Sequence, residues 1–473
     1  MSDQKPLLEH ATRDLAQFAA ALTYDEIPPD VIAHIKLCIL DGLGAGLYGA
    51  QLPWTKRVQA MVLNEGATPR AFMWGTGRKV SVAQAALVNS TAGHGFEMDD
   101  IHKESILHPN SLAVPSTFAW AQGHPDRPNG RELLTAVVAG CEVGIRVGNA
   151  ATMSLFLRGF HPQGTSGVFV SAAACGRLAG LAPDQLQHAL GIAGSMAAGL
   201  MAAQEGAMVK RLHAGRAAQG GVQAVMLAAE GFTGITDVIE AGYGGFLSSF
   251  SASPNAAKIT AGLGHTWETR NIGFKMYPNV TSIHSALDGF EAIMRENNLD
   301  ADSIDSVDIH CPHMTYVHTA WPYKPAGVTA AQMNMFYGIA ATAVAGRVSA
   351  NEYSEEMLTD ARILAFIDRI KVTESTELEA KGAAYRHASL VRLRRRDGKT
   401  FERETLHRRG SPENPVARED ILRKFQDNVR HLPSAVSERI IALVDTIETG
   451  DSLGDLVEIL GAEHRAAAPV GAG

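Results

Sequence analysis

The chain has 473 residues, 46% of them hydrophobic and 19% charged, which predicts a large core divided among about two or three domains. The formal net charge is −8 and the basic residues are scattered. This pattern argues against a surface for nucleic acid or for an anionic membrane, and favours small-molecule partners. Four well-separated cysteines without a C-x-x-C pair, and an N-terminus without a basic and then apolar stretch, predict a cytoplasmic protein.

The first half of the chain is predicted to be helical. As far as about Ala261, apolar residues recur mostly at helical spacing, as in DVIAHIKLCILDGLGAGLYGA and RELLTAVVAGCEVGIRVGNA. The Ala/Gly-rich stretch 166–203 is interrupted at short intervals by charged and amide side chains. It therefore predicts closely packed buried helices and not a membrane span.

The pattern changes after Gly264, where SIDSVDIHCP, RIKVTES and SLVRLRRRDGKTFERETL predict strands, the last with a hairpin turn at Asp397-Gly398. Helical segments lie between these strands and return after Gly410. We predict a mainly α fold: a large all-helical domain formed by both chain ends (1–265 and 405–462), a smaller α/β (α+β) domain (266–404) and a flexible tail (463–473).

One short acidic stretch, HGFEMDDIHKESILHPNS, is unusually rich in titratable groups. It contains His94, Glu97, Asp99, Asp100, His102, Glu104 and His108. Neighbouring carboxylates raise one another's pKa, and burial raises it further, so a carboxyl group here could exchange protons near neutral pH with His108 as its partner. The alternative is a helix N-terminus with a solvated acidic face.

Two further segments favour anion binding. In RGFHPQGTSG, His161 lies in a glycine-rich loop before Thr165, where a helix start could offer backbone amides to an anion. In MVKRLHAGR, Lys210, Arg211 and His213 stand at the head of a predicted helix, against its dipole, which suggests an anion between them. The alternatives are a capping histidine and solvated basic residues.

A fourth segment, NIGFKMYPNVTSIHSALDGF, lies at the predicted domain change and carries Lys275, Tyr277 and His284. Ligand sites favour domain junctions, so Lys275 could close over a substrate bound on the first domain. Taken singly, Lys275 would be a surface residue and His284 a core or capping residue.

These four segments, in this order, resemble the MmgE/PrpD superfamily, which includes 2-methylcitrate dehydratase, cis-aconitate decarboxylase and iminodisuccinate epimerase. The resemblance rests on HGFEMDD with a following His-Pro, GFHPQGTSG, KRLHAGRAAQGG with EGFTG, and FKMYPNVTSIH, and it covers nearly the whole chain. It implies a helical domain, a smaller lid domain, an active site in the cleft between them, a homodimer, and no metal or organic cofactor in the decarboxylase and epimerase branches.

The resemblance also implies roles for individual residues. The predicted catalytic residues are Glu97, His108, His161, Lys210 and Lys275, and the predicted substrate-binding residues are Asp99, Asp100, Thr165, Arg211, His213, Tyr277 and His284. His161 and His108 would exchange protons with the substrate, Glu97 would orient one of them, and the two lysines would bind carboxylates.

Departures from the family pattern bear on the reaction. Glu97 stands where relatives often carry Asp, Ile101 where the decarboxylase commonly has a hydroxyl residue, and Asn279 and Val280 follow Tyr-Pro in place of smaller, cysteine or histidine residues. These differences favour a 2-methylcitrate dehydratase-like lyase acting on a small di- or tricarboxylic acid by proton transfer, without a cofactor. An epimerase-like isomerase and a cis-aconitate decarboxylase-like carboxy-lyase are the alternatives.

Two rivals come from other classes. A metal-dependent hydrolase could recruit His94, Glu97, Asp100, His102 and His108 as ligands, although no H-E-x-x-H spacing occurs. We therefore predict no metal. A helical binding protein without activity is disfavoured because all four polar segments retain titratable groups.

Overall fold

The computed structural model of the protein describes residues 8–124 and 128–463. Helices dominate and the sheets are small, which confirms the predicted mainly α fold. The chain divides into two compact units. The first comprises the described parts of Met1–Ala202, Val209–Gly273 and Ala417–Gly473, and the second comprises Ala203–Met208 and Phe274–Val416.

The first unit is built from helices of both chain ends. They are α1 (Ala11–Ala21), α2 (Pro29–Gly49), α3 (Pro53–Glu65), α4 (Val82–Gly93), α5 (Asn110–Gly123), α6 (Gly130–Leu157), α7 (Gly167–Leu178), α8 (Pro183–Ser195), α9 (Val209–Ala229), α10 (Phe246–Phe250), α11 (Ala257–Thr260), α18 (Arg418–Asn428), α19 (Ser434–Asp445) and α20 (Ser452–Gly461). Helices α4, α5, α6, α7 and α9 pack on one another and form the centre of this unit.

Small residues let these helices approach closely, as the composition predicts. A Cβ atom on Gly49 of α2 would lie 1.9 Å from the carbonyl oxygen of Ala92 on α4, and one on Gly140 of α6 would lie 2.6 Å from that of Val170 on α7. Both positions therefore require glycine, because any side chain would push the two helices apart.

Helices α2 and α6 are long and apolar enough to cross a membrane by length and composition. The most apolar window of α6 is entirely buried inside the protein, and that of α2 is mostly buried. Core helices pass the same test, and burial accounts for the apolar sequence of both.

The second unit contains a four-stranded sheet in the order β6-β5-β7-β8. Its strands are β5 (Ile304–Cys311), β6 (Ile370–Glu374), β7 (Ser389–Arg395) and β8 (Thr400–Thr405). Strand β5 pairs parallel to β6 and antiparallel to β7, which pairs antiparallel to β8. All lie in the segments predicted as strands, and the predicted turn has Gly398 at φ 89°.

Helices of the second unit lie between and before these strands. They are α12 (His284–Glu296), α13 (His313–Thr319), α14 (Val328–Gln332), α15 (Met335–Ala345), α16 (Ala361–Ile367) and α17 (Thr376–Glu379). Helices α14 and α15 are separate, because the Asn334 side chain accepts a hydrogen bond from the Tyr337 amide (3.0 Å) and starts α15 anew.

Several elements differ from the sequence expectation. Two short antiparallel pairs occur in the first unit: β1 (Ala71–Met73) with β2 (Arg78–Val80), and β3 (Ile101–His102) with β4 (Ile272–Gly273). Helix α20 was not predicted. The second unit begins at Phe274 and ends at Val416, whereas the sequence predicted 266–404. The carbonyl oxygen of Gly410 accepts a hydrogen bond from the Phe274 amide (2.7 Å), which ties the residues after 404 to the second unit. Strand β4 pairs with β3 and keeps residues 272–273 in the first unit. Residues 464–473 of the predicted tail lie outside the described residues.

Helix α18, from the C-terminal part of the chain, anchors the acidic stretch. Lys424 reaches the buried carboxylate of Asp41 on α2 at 2.6 Å and donates a hydrogen bond to the carbonyl oxygen of Met98 at 2.6 Å. Asp41 is 1% exposed. A buried ion pair of this kind leaves an uncompensated charge if one partner is removed.

We expect Lys424→Met to lower the free energy of unfolding by about 3–5 kcal/mol, because Asp41 would stay buried without its cation. The double variant Asp41→Asn with Lys424→Met should recover part of this loss, since no charge is left unpaired. Urea unfolding of the three proteins measures both effects. A double variant as unstable as the sum of the single changes would contradict the pairing.

Candidate active site

The acidic stretch is a loop and not the helix considered from the sequence. Helix α4 ends at Gly93, and the chain then runs through a loop and the short strand β3 to the start of α5 at Asn110. Glu97 adopts φ 56°, in the left-handed region. This conformation costs a non-glycine residue about 1–2 kcal/mol, so the surrounding contacts must hold it.

Glu97 is held by the first turn of α9. Its buried carboxylate accepts hydrogen bonds from Lys210 and, at 2.6 Å, from Arg211. The sequence predicted an anion between these cations, and the protein supplies one itself. The N-terminal end of α9 also favours an anion at this place.

Asp99 lies between two histidines. One carboxylate oxygen is 2.8 Å from Nδ1 of His94, and the other is 3.4 Å from Nδ1 of His108. Burial disfavours the charge of Asp99, but the two histidines hold its pKa well below the usual range. Both oxygens of Asp99, predicted to bind substrate, are therefore engaged by protein groups.

The Asp100 carboxylate binds the first residue of α5. Its carboxylate accepts hydrogen bonds from the backbone amide of Asn110 at 3.3 Å and from the Asn110 side chain. Burial raises the pKa of Asp100 well above its usual value. The structure therefore places this predicted substrate-binding residue as a helix cap inside the protein.

A second pair of histidines lies next to the first. Nδ1 of His161 is 2.9 Å from Nδ1 of His213, and the His161 ring centre is 5.7 Å from that of His94. Burial lowers the pKa of His161 well below its usual value and that of His213 to about 4, and the charge of Lys210 lowers both further. Both rings are thus neutral at pH 7.

The loop that carries His161 is fastened to His108. Gln163 accepts a hydrogen bond from the His108 amide (2.9 Å) and donates one to the His108 carbonyl (3.1 Å). The Thr165 hydroxyl, predicted to bind substrate, donates to the His161 carbonyl at 3.0 Å. Gln163 was missed as a site residue, although it stands in the quoted segment GFHPQGTSG.

Exposure separates the groups that can meet a substrate from those that support them. His108, His161, Lys210 and His213 are 5–9% exposed, whereas His94, Asp99, Asp100, Thr165 and Arg211 are at most 1% exposed. The first set can contact a small molecule, and the second set contacts only protein.

Three predicted site residues belong to the second unit. Lys275 is 1% exposed. The Tyr277 hydroxyl donates to Asp288 (2.8 Å) and Glu291 (2.7 Å), and Nε2 of His284 lies 3.2 Å from the carbonyl oxygen of Asn279. Two acidic partners make the Tyr277 hydroxyl a poor ligand for a carboxylate, and the roles of Lys275 and His284 stay predictions.

The ligand set considered for a hydrolase metal is dispersed. Glu97 and Asp100 have the partners described above, and His102 contacts Ser105 (2.9 Å) and Glu268 (3.3 Å). Of the described residues, His94, Asp99 and His108 do offer ligand atoms within 4.8 Å of one another. The direct 2.8 Å contact of His94 with Asp99 and the nearby charge of Lys210 suit a hydrogen-bonded group better than a cation site.

Two models of protein domains match the chain. The MmgE/PrpD N-terminal domain matches residues 13–258, and the MmgE/PrpD C-terminal domain matches residues 277–449. The chain therefore belongs to the MmgE/PrpD family.

Its relatives include cis-aconitate decarboxylases. The chain is 30% identical to the cis-aconitate decarboxylase-like protein oryM of Aspergillus oryzae (95% of this chain, 96% of the relative). It is 29% identical to the cis-aconitate decarboxylase of Aspergillus terreus (95% of each chain) and 26% identical to the human enzyme (96% and 95%). The protein is an MmgE/PrpD-type lyase, as predicted.

The neutral buried histidines make stability depend on pH. In the unfolded chain a histidine binds a proton near pH 6.5, but in the folded protein the pKa of His94 is lowered by burial to about 3 and that of His213 to about 4. Between these values the unfolded state binds more protons, so stability falls as the pH falls from about 6.5 to about 4.

We expect His213→Gln to reduce this pH dependence by about one proton, because one neutral histidine is removed. Urea unfolding at several pH values between 4.5 and 6.5 gives the slope for both proteins. The raised pKa of Asp100 acts in the opposite direction, and comparing the two slopes cancels it. An unchanged slope would show that His213 is protonated in the folded protein.

Proposed function

We propose that the enzyme is a cofactor-independent decarboxylase of a small unsaturated tricarboxylic acid of the cis-aconitate type. The proposal rests mainly on one observation: His108, His161 and His213 lie close together in the first unit, around His94 and next to Lys210, and Lys210 and these three histidines each keep 5–9% of their surface exposed. The 29% identity to a cis-aconitate decarboxylase over 95% of the chain supports the same reaction.

Charge selects the substrate. Lys210 is 5% exposed, shares Glu97 with Arg211 and acts electrostatically on His161 and His213, so a cation lies beside the histidines and would attract a substrate carboxylate. Glu97 also fixes the lysine, which lowers the entropy that binding must overcome. Lys275 stays the predicted second carboxylate ligand.

The chemistry needs one proton at carbon. The bond between a carboxylate and its carbon breaks, CO2 leaves, and the electron pair stays on the carbon framework, delocalised over the adjoining C=C bond and a remaining carboxylate. His108, whose Nδ1 lies 3.4 Å from the Asp99 carboxylate, can carry a proton and stabilise that developing charge. A proton delivered to carbon completes the reaction.

The His161–His213 pair can deliver that proton while both rings stay neutral. One proton lies between the two Nδ1 atoms, which are 2.9 Å apart. If His213 donates it, His161 carries its own proton on Nε2. His161 releases this proton to carbon and receives the shared proton on Nδ1, and Nε2 of His213 then takes up a proton from solvent. Both rings end neutral, with their tautomers exchanged.

A dehydratase of the 2-methylcitrate type is the second candidate. Ile101, which stands where the decarboxylase commonly has a hydroxyl residue, is buried in β3 opposite Gly273. In a dehydration, His108 would remove a proton next to a carboxylate and His161 would protonate the departing hydroxide. An epimerase would need only the two proton transfers.

Proton NMR in deuterated water with cis-aconitate, 2-methylcitrate, citrate and iminodisuccinate separates these reactions, together with a CO2 assay. CO2 and one carbon-bound deuterium in the product support the decarboxylase. Gain or loss of water without CO2 identifies the dehydratase, and exchange without net conversion identifies the epimerase. A folded enzyme that acts on none of the four contradicts the proposal.

We expect His161→Asn to lower kcat by about 10²–10⁴, because the proton donor is lost. His265→Asn, which changes an exposed histidine of the same unit, should keep wild-type activity and serves as the matched control. Steady-state kinetics on whichever acid is turned over measures both. Full activity in His161→Asn would remove this residue from the mechanism.

The family resemblance also leads us to propose a homodimer in the cytoplasm. Large apolar side chains are exposed in the first unit, among them Leu157 (66%), Leu200 (63%) and Tyr243 (65%). Apolar surface of this kind suits an interface between copies. Light scattering of the purified protein gives the oligomeric state, and a monomer at micromolar concentration would contradict the proposal.

A further inference from the structure

Asp99 and His94 lie deeper than any group that can meet the substrate. Both are 0% exposed, whereas His108 is 7% exposed. The two imidazole rings stand edge to face, with centres 4.9 Å apart and planes at 62°, and each turns its Nδ1 towards a different oxygen of the same carboxylate. We call these three residues the His–Asp–His group.

The chemistry of a carboxylate limits the tautomers of both rings. An ionised carboxylate only accepts hydrogen bonds, so His94, at 2.8 Å, presents Nδ1–H to Asp99. Nδ1 of His108 lies at an ion-pair distance of 3.4 Å from the other oxygen, and neither atom has another hydrogen-bond partner among the described residues, so a proton on this Nδ1 would face Asp99. Nε2 of each ring then lies on the edge turned away from Asp99. Nε2 of His94 is buried and has no hydrogen-bond partner among the described residues, so of the two rings only His108 can offer this edge to a ligand.

We propose that Asp99 and His94 are positioning residues: Asp99 holds the Nδ1–H of His108 so that its Nε2 faces the substrate, and His94 fixes the second oxygen of Asp99. The assignment moves Asp99 from substrate binding to support of a histidine. It rests on the proposed function in one respect, namely that His108 acts on the substrate.

The charges of the group agree with this role. Burial lowers the pKa of His94 to about 3, although Asp99 opposes this shift, so His94 donates a hydrogen bond without adding a positive charge. The negative charge of Asp99 therefore stays available to stabilise a proton on His108. Lys210 also acts on His94, and both His94 and His108 act on His161.

Variants at the two positions test the proposal by kinetics. Asp99→Asn should lower kcat by about 10²–10⁴ with KM changed by less than about 3-fold, because His108 loses its fixed tautomer and not a substrate contact. His94→Leu removes the donor to Asp99 and should lower kcat by about 10-fold. His94→Gln can still donate to Asp99 and should restore activity to within about 3-fold of wild type.

Proton NMR of the full-length protein tests the geometry without any substrate. Protons shared between an imidazole and a buried carboxylate resonate downfield of the amide protons. We expect the wild type to show two such signals that Asp99→Asn loses, and His94→Leu to lose one of these two. A signal from the His102–Glu268 pair would be common to all variants. This measurement does not depend on whether the enzyme acts on any of the four acids. If Asp99→Asn fails to fold, the wild type and the two His94 variants are compared instead.

Three results would overturn the proposal. Downfield signals absent from a folded wild type would show that the hydrogen bonds do not exist. A KM raised more than about 10-fold in Asp99→Asn at unchanged kcat would make Asp99 a substrate ligand. Stoichiometric zinc or manganese in the wild type, lost in Asp99→Asn, would make the group a metal site.

Discussion

Three carboxylates within four residues of one loop are buried, and a buried charge must find a partner or lose its charge. Each of the three carboxylates is stabilised in a different way. Glu97 pairs with two cations, Asp99 lies between two imidazole rings, and Asp100 accepts from the amides of Asn110 at a helix start while burial raises its pKa. The loop conformation, including the left-handed Glu97, follows from these three demands.

The partners come from distant parts of the chain, and this brings the site together. Arg211 belongs to α9, Gln163 to the loop before α7, and Lys424 to α18. Each makes its contact with a different point of the same loop: a side chain, the backbone of His108 and the carbonyl of Met98. Helices that bury small residues against one another hold these points in place, since their close contacts leave little freedom to move.

Much of this architecture was predictable from the sequence. The strands were predictable because their sequences are rich in β-forming residues and the Asp397-Gly398 pair is typical of a hairpin turn. Lys210 and Arg211 stand at a helix N-terminus, where the dipole disfavours cations, and this correctly indicated an anion between them. The family motifs identified the lyase. What the sequence could not reveal was which carboxylate each cation would meet, because spacing along a loop does not determine the direction of its side chains.

The same reason explains the missed residues. His94 looked like one of several histidines, and only the fold places it against Asp99, beyond the reach of a substrate. Gln163 carries no charge, so no electrostatic argument singled it out. Helix α20 and the short strands β1 to β4 are local elements that depend on tertiary contacts more than on their own sequence pattern.

The bond from Lys424 to Met98 also has a consequence for synthesis. A ribosome adds Lys424 326 residues after Met98, so the acidic loop is made long before this partner. Until then Asp41 lacks its cation and the loop lacks one of its anchors. During synthesis the acidic loop therefore lacks this anchor until helix α18 has been made.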